Sequence, residues 1–395
     1  MPDKFLHGVE VIELDGGARP IKTAASSVIG LVGTAPKGPI NTPTLILGSR
    51  QQAVELFGPD TPGFTIPAAL DAIFAQTGAM VVVIRVAGIE KADPTKITAG
   101  DIIGMIDPAS NLPTGCQALL SAQSEVKVQP RILIAPGFTH QMPDGDANPV
   151  LAELVGIAER LRAVVIADCP DVNETEAINY REAWGSARVY CAYPWVKVYD
   201  AATDSNRIDP PSARIAGMIA KSDNERGFWW SPSNTLVNGI VGISKPIDFA
   251  LGEPNCKANF LNEHEVATFI QESGFRLWGN RTTSADPKWA FLSVRRTADM
   301  INDSLLRAHL WAVDRNITKT YVEDVVEGVN AYLRYLKNIG AILGGQCWAD
   351  PELNSPDQVE QGKVTFDFDF TPPYPAEHIT FRSRMVNGYL TEIFK

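Results

Sequence analysis

Three places in this chain hold residue types that can do chemistry. Asp168-Cys169 follows the apolar run Ala163-Val-Val-Ile-Ala167, setting an acid beside a thiol. Ligands of parallel α/β sheets bind at the carboxyl ends of strands, so the pair would serve as acid and nucleophile. The same two residues also read as a strand-ending Asp that caps the following turn, next to a buried thiol. Lys37 lies in Gly33-Thr-Ala-Pro-Lys37-Gly-Pro, the position of a phosphate loop after a strand. That loop lacks Gly-Lys-Ser/Thr and carries two prolines where backbone donors belong, which leaves a Pro-rich turn. Glu263-His264-Glu265 flanks an imidazole with carboxylates but is not His-Glu-x-x-His. The other histidines (His7, His140, His309, His378) are scattered. The cysteines (Cys116, Cys169, Cys191, Cys256, Cys347) form no Cys-x-x-Cys and have no histidine at ligand spacing. The expectation is no cofactor, no metal and no catalytic residue.

The elements around these residues are most regular in the middle of the chain. Arg131–Ala135 reads as a strand, Pro149–Leu161 as a helix with an apolar stripe, and Ala163–Ala167 as a second strand. Asn173 is the N-cap of a helix running to about Gly185, with Glu174 and Glu176 in its first turn, before the strand Arg188–Tyr193. This is a β-α-β-α-β unit with a parallel sheet. Upstream, Ser27–Gly33, Leu45–Leu47 and Met80–Val86 are strands, and Arg50–Phe57 and Ile66–Gln76 helices. Residues 138–148, 200–211 and 252–257 are loop-like, rich in Gly, Pro, Asp and Asn. Residues 1–25 read as an extended arm with one apolar stretch, Val9-Glu-Val-Ile-Glu-Leu14.

The C-terminal part differs in kind. Thr297–Val313 repeats apolar residues at helical steps, and Thr320 with Glu323 forms a capping box for a long helix that Gly344-Gly345 stops. The first half of that helix is acidic (Glu323, Asp324, Glu327) and its last turns basic (Arg334, Lys337), an order that complements the helix dipole or offers basic residues to an acidic surface. Two alternating runs follow, Val364–Phe370 and, beyond Pro372, Pro373 and Pro375, Ile379–Met385. Two strands alone are marginal in water and leave open edges, so further strands must come from elsewhere, most simply from other copies of the chain. The expected organisation is an arm at 1–25, an outer mixed α/β domain at 26–258, an α+β domain at 259–376 and a strand or arm at 377–395. The fold class is therefore α/β plus α+β.

Composition limits the partners. With 395 residues, 45% apolar and 21% charged, the chain is a multidomain globular protein, and no apolar run approaches the roughly 20 residues of a membrane helix. No cationic and apolar leader is present, so the chain is expected to stay in the cytoplasm where it is made. A net charge of −11 disfavours nucleic acid as a partner. Locally the sign reverses: from Arg276 to Lys319 eight basic residues (276, 281, 288, 295, 296, 307, 315, 319) stand against four acids (286, 299, 303, 314), a net +4. Such a segment either faces an acidic partner or is a solvated mixed surface.

Several longer motifs carry a family resemblance: Gly274-Phe-Arg-Leu-Trp-Gly-Asn-Arg-Thr282, Arg295-Arg-Thr-Ala, Ala308-His-Leu-Trp-Ala-Val-Asp-Arg-Asn-Ile-Thr318, Ser233-Asn-Thr-Leu-Val-Asn-Gly-Ile-Val-Gly-Ile-Ser244 and Gly362-Lys-Val-Thr-Phe-Asp-Phe-Asp-Phe-Thr-Pro-Pro373. Gly8-Val-Glu-Val and Pro130-Arg-Ile-Leu add to them. The chain resembles the tail sheath proteins of contractile-tailed phages, especially the short sheaths of temperate myophages and R-type pyocins. The resemblance spans nearly the whole chain and is weakest at about 90–125 and 200–225. It implies a non-enzymatic protomer of the virion tail, assembled in the host cytoplasm as stacked hexameric rings around an inner tube, with baseplate and terminator proteins at the ends and neither nucleic acid nor membrane contacted. It implies exchange of strands between subunits, with Val9, Val11, Ile12, Leu14, Ile379, Phe381 and Met385 as donor candidates and Phe366, Phe368 and Phe370 in the acceptor. It further implies tube-facing basic residues on a C-terminal helix, here Lys319, Arg334 and Lys337. A sheath from a type VI-like machine is the neighbouring reading, and an α/β enzyme using Asp168 or Cys169 the distant one.

Overall fold

The computed structural model describes residues 21–87, 96–200 and 203–394. In chain order, β1 (Ile29–Gly33), β2 (Thr44–Leu47), α1 (Arg50–Phe57), α2 (Thr65–Phe74) and β3 (Met80–Arg85) come first. Short helices α3 (Ala99–Ile103) and α4 (Ala122–Glu125) precede β4 (Ile132–Ile134), α5 (Pro149–Leu161), β5 (Val164–Asp168), α6 (Glu174–Glu182) and β6 (Val189–Ala192). Then follow β7 (Val196–Asp200), β8 (Ser205–Asp209), α7 (Ser212–Glu225), β9 (Gly242–Ile243), α8 (Lys257–Glu263), β10 (Val266–Gln271) and β11 (Phe275–Trp278). The last part holds α9 (Leu292–Ala308), α10 (Lys319–Asn338), β12 (Gly344–Trp348), α11 (Pro356–Glu360) and β13 (Asp367–Thr371).

Eight strands form one sheet in the order β11-β10-β6-β5-β4-β1-β3-β2. The six inner strands pair in parallel, while β2 and β11 are antiparallel at the two edges. Both faces are covered, which is why these strands read as continuous apolar runs. Alternation still sorts the side chains: Ile132 and Ile134 join α1, α2 and α7 on one face, and Leu133 joins α5, α6 and α8 on the other. Local signals set the helix ends. Asn148 accepts a bond from Leu151 N at 2.8 Å with Pro149 at the first helical position, and Arg162 at φ 50° ends α5.

A second, smaller core lies around α9 and α10, where Met300, Ile301, Val329, Tyr332, Leu333 and Leu336 pack with Phe366, Phe368 and Phe370 beside the two-stranded β12–β13 sheet. The joint between the two cores is ionic. Asp299 accepts from Arg188 at 2.6 and 3.1 Å and from Arg295 at 2.9 and 3.3 Å. Asp303 accepts from Arg131 and, at 2.7 Å, from Arg307, while Arg296 donates two bonds to Asp223 of α7 at 2.5 and 2.7 Å. Arg131, Arg188, Arg296, Asp223 and Asp299 are all buried at this joint. Breaking such a buried pair costs about 3–5 kcal/mol, so α9 is fixed to β4, β6 and α7. The positive segment 276–319 is therefore neither a partner surface nor a solvated mixture alone: four of its arginines (281, 295, 296 and 307) are paired within the chain.

Several expectations need correction. β10 and β11 belong to the large sheet, so the body extends past residue 258 to the strands ending at Trp278. α9 starts at Leu292 rather than Thr297. Thr318, not Thr320, caps α10, accepting from Tyr321 N at 3.2 Å. That helix ends at Asn338, before Gly340 at φ 80°, and Gly344-Gly345 opens β12 instead of stopping the helix. A Cβ on Gly345 would stand 2.6 Å from the Asp369 carbonyl oxygen, so close strand approach is what requires the glycine. Residues 200–211 are not loop alone but contain β8, which pairs antiparallel with β7. Ile379–Met385 forms no strand: β12 and β13 pair with each other, and the run has no ladder partner among the described residues.

Candidate assembly interface

The three sites of possible chemistry resolve into structure. Asp168, fully buried at the end of β5, accepts from Ser212 N at 2.8 Å and Ser212 Oγ at 2.7 Å, so it caps the distant helix α7 rather than the following turn. Burial pushes its carboxyl up to about 7, against the pull of the Ser212 and Thr139 donors. The Cys169 thiol is sealed in the core, and burial holds it well above its usual range, so it supplies no thiolate. In the Lys37 loop it is carbonyls that turn inward: Arg85 donates to Ala35 O at 2.8 Å and Gly38 O at 2.6 Å. A loop presenting carbonyls to a cation is the opposite of an anion cradle. His264 Nδ1 bonds Phe260 O at 2.9 Å, and Glu265 pairs with Arg181 at 3.0 Å, so that trio is divided between local contacts.

The C-terminal unit offers surface rather than chemistry. Phe366, Phe368 and Phe370 lie half-buried on the small core, each two residues from the next, as alternation requires. Ile379, Phe381 and Met385 are 68, 91 and 97% exposed, and Tyr389, Leu390 and Ile393 beyond them are also exposed. Folding of one chain leaves this apolar tail in water. Beside Phe368 runs a groove of about 600 Å³ lined by Leu305, Leu306, Leu310 and Val313. Leu310 is 77% exposed, so an apolar tail and an apolar groove stand uncovered on one subunit.

The remaining site residues are distributed as follows. Lys319, Arg334 and Lys337 are all exposed on α10, whose other side buries Val325, Val329, Tyr332 and Leu336. Lys319 stands 3.7 Å from Glu323 and Arg334 2.5 Å from Glu327, so two of the three already have acidic neighbours on their own helix. Val9, Val11, Ile12 and Leu14 lie outside the described residues. Sequence reasoning missed β12 and the ionic joint. The Arg295–Asp299 and Asp303–Arg307 spacings of four were a visible signal of the latter, but their long-range partners were not.

Comparison with known proteins places the whole length. A model of the phage tail sheath C-terminal domain matches residues 284–385, the phage tail sheath protein central domain residues 97–283, and the tail sheath protein Gp18 domain III N-terminal region residues 26–86. A putative prophage major tail sheath protein of Pseudomonas aeruginosa (strain UCBPP-PA14) is 43% identical over 394 residues, covering 98% of each chain. The tail sheath protein of Escherichia phage P2 is 36% identical over 400 residues, again 98% of each. Among solved structures, the helical sheath of the anti-feeding prophage in its contracted state aligns at a TM-score of 0.72 and 22% identity, covering 97% of this chain and 100% of that one. The contracted sheath complex of the extracellular contractile injection system PVC gives 0.70 and 17%, covering 98 and 99%.

Proposed function

This chain belongs to the phage tail sheath family, a structural component of contractile tails, and from that premise we propose how its subunits connect and move. They assemble in the host cytoplasm as hexameric rings stacked helically around an inner tube, ending on baseplate and terminator proteins. Terminal arms cross to neighbours and add strands to the β12–β13 sheet, so that main-chain hydrogen bonds join the polymer. The observations that carry this reading are the exposed, alternating run Ile379–Met385, which has no ladder partner among the described residues, and a small sheet of two strands.

Contraction moves rigid bodies. The buried Arg–Asp joint holds α9 to the large sheet, which leaves the arms as the segments that bend. The extended sheath stores energy as unburied interface. If each subunit buries about 500 Å² more apolar surface on contraction, about 12 kcal/mol is released at most, enough over many rings to drive the tube through an envelope. Lys319, Arg334 and Lys337 face the tube through weak, screened contacts, because the tube must slide.

Electron microscopy of the purified chain tests this reading directly. Long tubular polysheaths are expected, and monodisperse particles under all conditions would refute it. Arg334→Glu with Lys337→Glu should leave polysheath intact while reducing co-assembly on the tube at low salt. Unchanged co-assembly would remove these residues from the tube contact.

A further inference from the structure

A two-stranded sheet has two outer edges, and in this subunit they are not equivalent. The side-chain amide of Asn330, on α10, donates to Cys347 O at 3.0 Å and accepts from Cys347 N at 2.8 Å. It thereby satisfies both backbone groups of Cys347, the fourth of the five residues of β12, as a neighbouring strand would. In an antiparallel ladder the two groups of one residue point the same way, so Cys347 directs its groups away from β13, and Cys347–Phe368 is a non-hydrogen-bonded pair. By the same geometry Phe368 directs its N–H and C=O away from β12. The outer edge of β12 is closed by a side chain, and that of β13 faces outward beside the apolar groove that Phe368 lines.

Charge then selects the strand that fits. Along β13 and its approach, Phe366, Phe368 and Phe370 occupy the core-facing side, and Asp367 and Asp369 the opposite one. In the tail, Ile379, Phe381 and Met385 share one face, with Arg382 and Arg384 on the other. Laid beside β13 with its apolar face toward the core, the tail sets two arginines on the side of two aspartates. The N-terminal candidate, Val9–Leu14, carries Glu10 and Glu13 instead, the same sign as Asp367 and Asp369.

The tail is also held away from its own β13. Pro372, Pro373 and Pro375 stiffen the exit from the strand. Glu377 then forms a bidentate pair with Arg281 (Nε to Oε1 2.9 Å, Nη2 to Oε2 2.5 Å), and Tyr374 packs edge-on to Phe291 with ring centres 6.1 Å apart. These contacts fix the root of the tail beside Arg281 and Phe291, and the residues beyond it stay exposed.

We propose that strand addition in this sheath is one-sided: Asn330 blocks β12, and the outer edge of β13 accepts the C-terminal tail of a second copy, selected by Asp367 and Asp369 against Arg382 and Arg384. The inference rests on the strand-exchange reading above and deepens it.

The test is charge reversal in the full chain, scored by polysheath assembly in electron micrographs and by light-scattering rate. Asp367→Arg with Asp369→Arg should slow assembly at least tenfold, since two favourable cross-strand pairs become repulsive. Adding Arg382→Asp and Arg384→Asp should restore it, and the defect should shrink in high salt. Normal assembly of the first variant, or no rescue in the quadruple variant, overturns the proposal. Asn330→Ala supplies an independent arm. Hydrogen exchange at the Cys347 amide should accelerate at least tenfold, and assembly should lose its single tube width. Uniform tubes despite an exchanging Cys347 amide would show that Asn330 does not choose the edge. Deleting residues 379–394 separates the two readings. Polymerisation without the tail refutes C-terminal strand donation itself, whereas loss on deletion combined with indifference to charge refutes only the edge assignment.

Discussion

Replacing Asp299 with alanine probes the joint between the two cores. The carboxylate is 1% exposed and accepts two bonds from Arg188 and two from Arg295. Without it the Arg188 guanidinium, 7% exposed, keeps only Ala163 O at 3.0 Å and Glu159 at 2.8 Å, the latter 60% exposed. Removing one member of a buried pair costs about 3–5 kcal/mol because the other charge stays desolvated. At about 2.1 cal/mol/K of unfolding entropy per residue, a chain of 395 residues loses about 1.2 °C per kcal/mol, so Tm should fall by about 4–6 °C. Urea unfolding of the dispersed subunit, followed by tryptophan fluorescence and scanning calorimetry, measures both quantities. The double replacement Arg188→Met with Asp299→Leu should recover part of the loss, since the more deeply buried Arg188 charge is gone while Arg295, 14% exposed, keeps its stacking on Trp289. A drop under about 1 kcal/mol for Asp299→Ala would mean that the pair behaves as a surface bridge. The rigid-body argument for contraction would then lose its basis.

Two further outcomes follow from the geometry. The Asp168 carboxyl is pushed from 3.8 up to about 7 in the folded chain, so its contribution to stability is full below about pH 3.8 and is lost as pH rises through 7. Asp168→Asn should therefore flatten the decline in urea midpoint between pH 4 and 7; an unchanged slope would place that pH dependence on other groups. Gly345→Ala would drive a Cβ to 2.6 Å from Asp369 O, costing about 1–3 kcal/mol and prying β12 from β13. Polysheath formation should fail at a temperature where the subunit is still folded by circular dichroism, and normal tubes would show that this strand pair is not the acceptor.

Much of this protein was legible in its residues, because its strongest signals are local. The β-branched runs at 29–33, 80–85 and 164–168, and the cap and proline that start α5, depend on neighbours a few positions away. The alternating C-terminal runs announced unfinished sheet, since a strand with open edges is incomplete whatever surrounds it. Composition and the missing ligand spacings gave no expectation of a catalytic site, and the sheath expectation came from the resemblance carried by the longer motifs. Tertiary structure decided what depends on distant partners. Asp168 caps a helix that begins 44 positions later, and Arg131 meets Asp303 across 172 positions, spacings at which no periodicity operates. Gly344-Gly345 looked like a helix stop because the approach of β13, which makes the glycine necessary, is invisible in one dimension. The two edges of the small sheet are equivalent in sequence. Only the reach of Asn330 from α10 to Cys347 distinguishes them, because a hydrogen bond is decided by position in space and not by residue type.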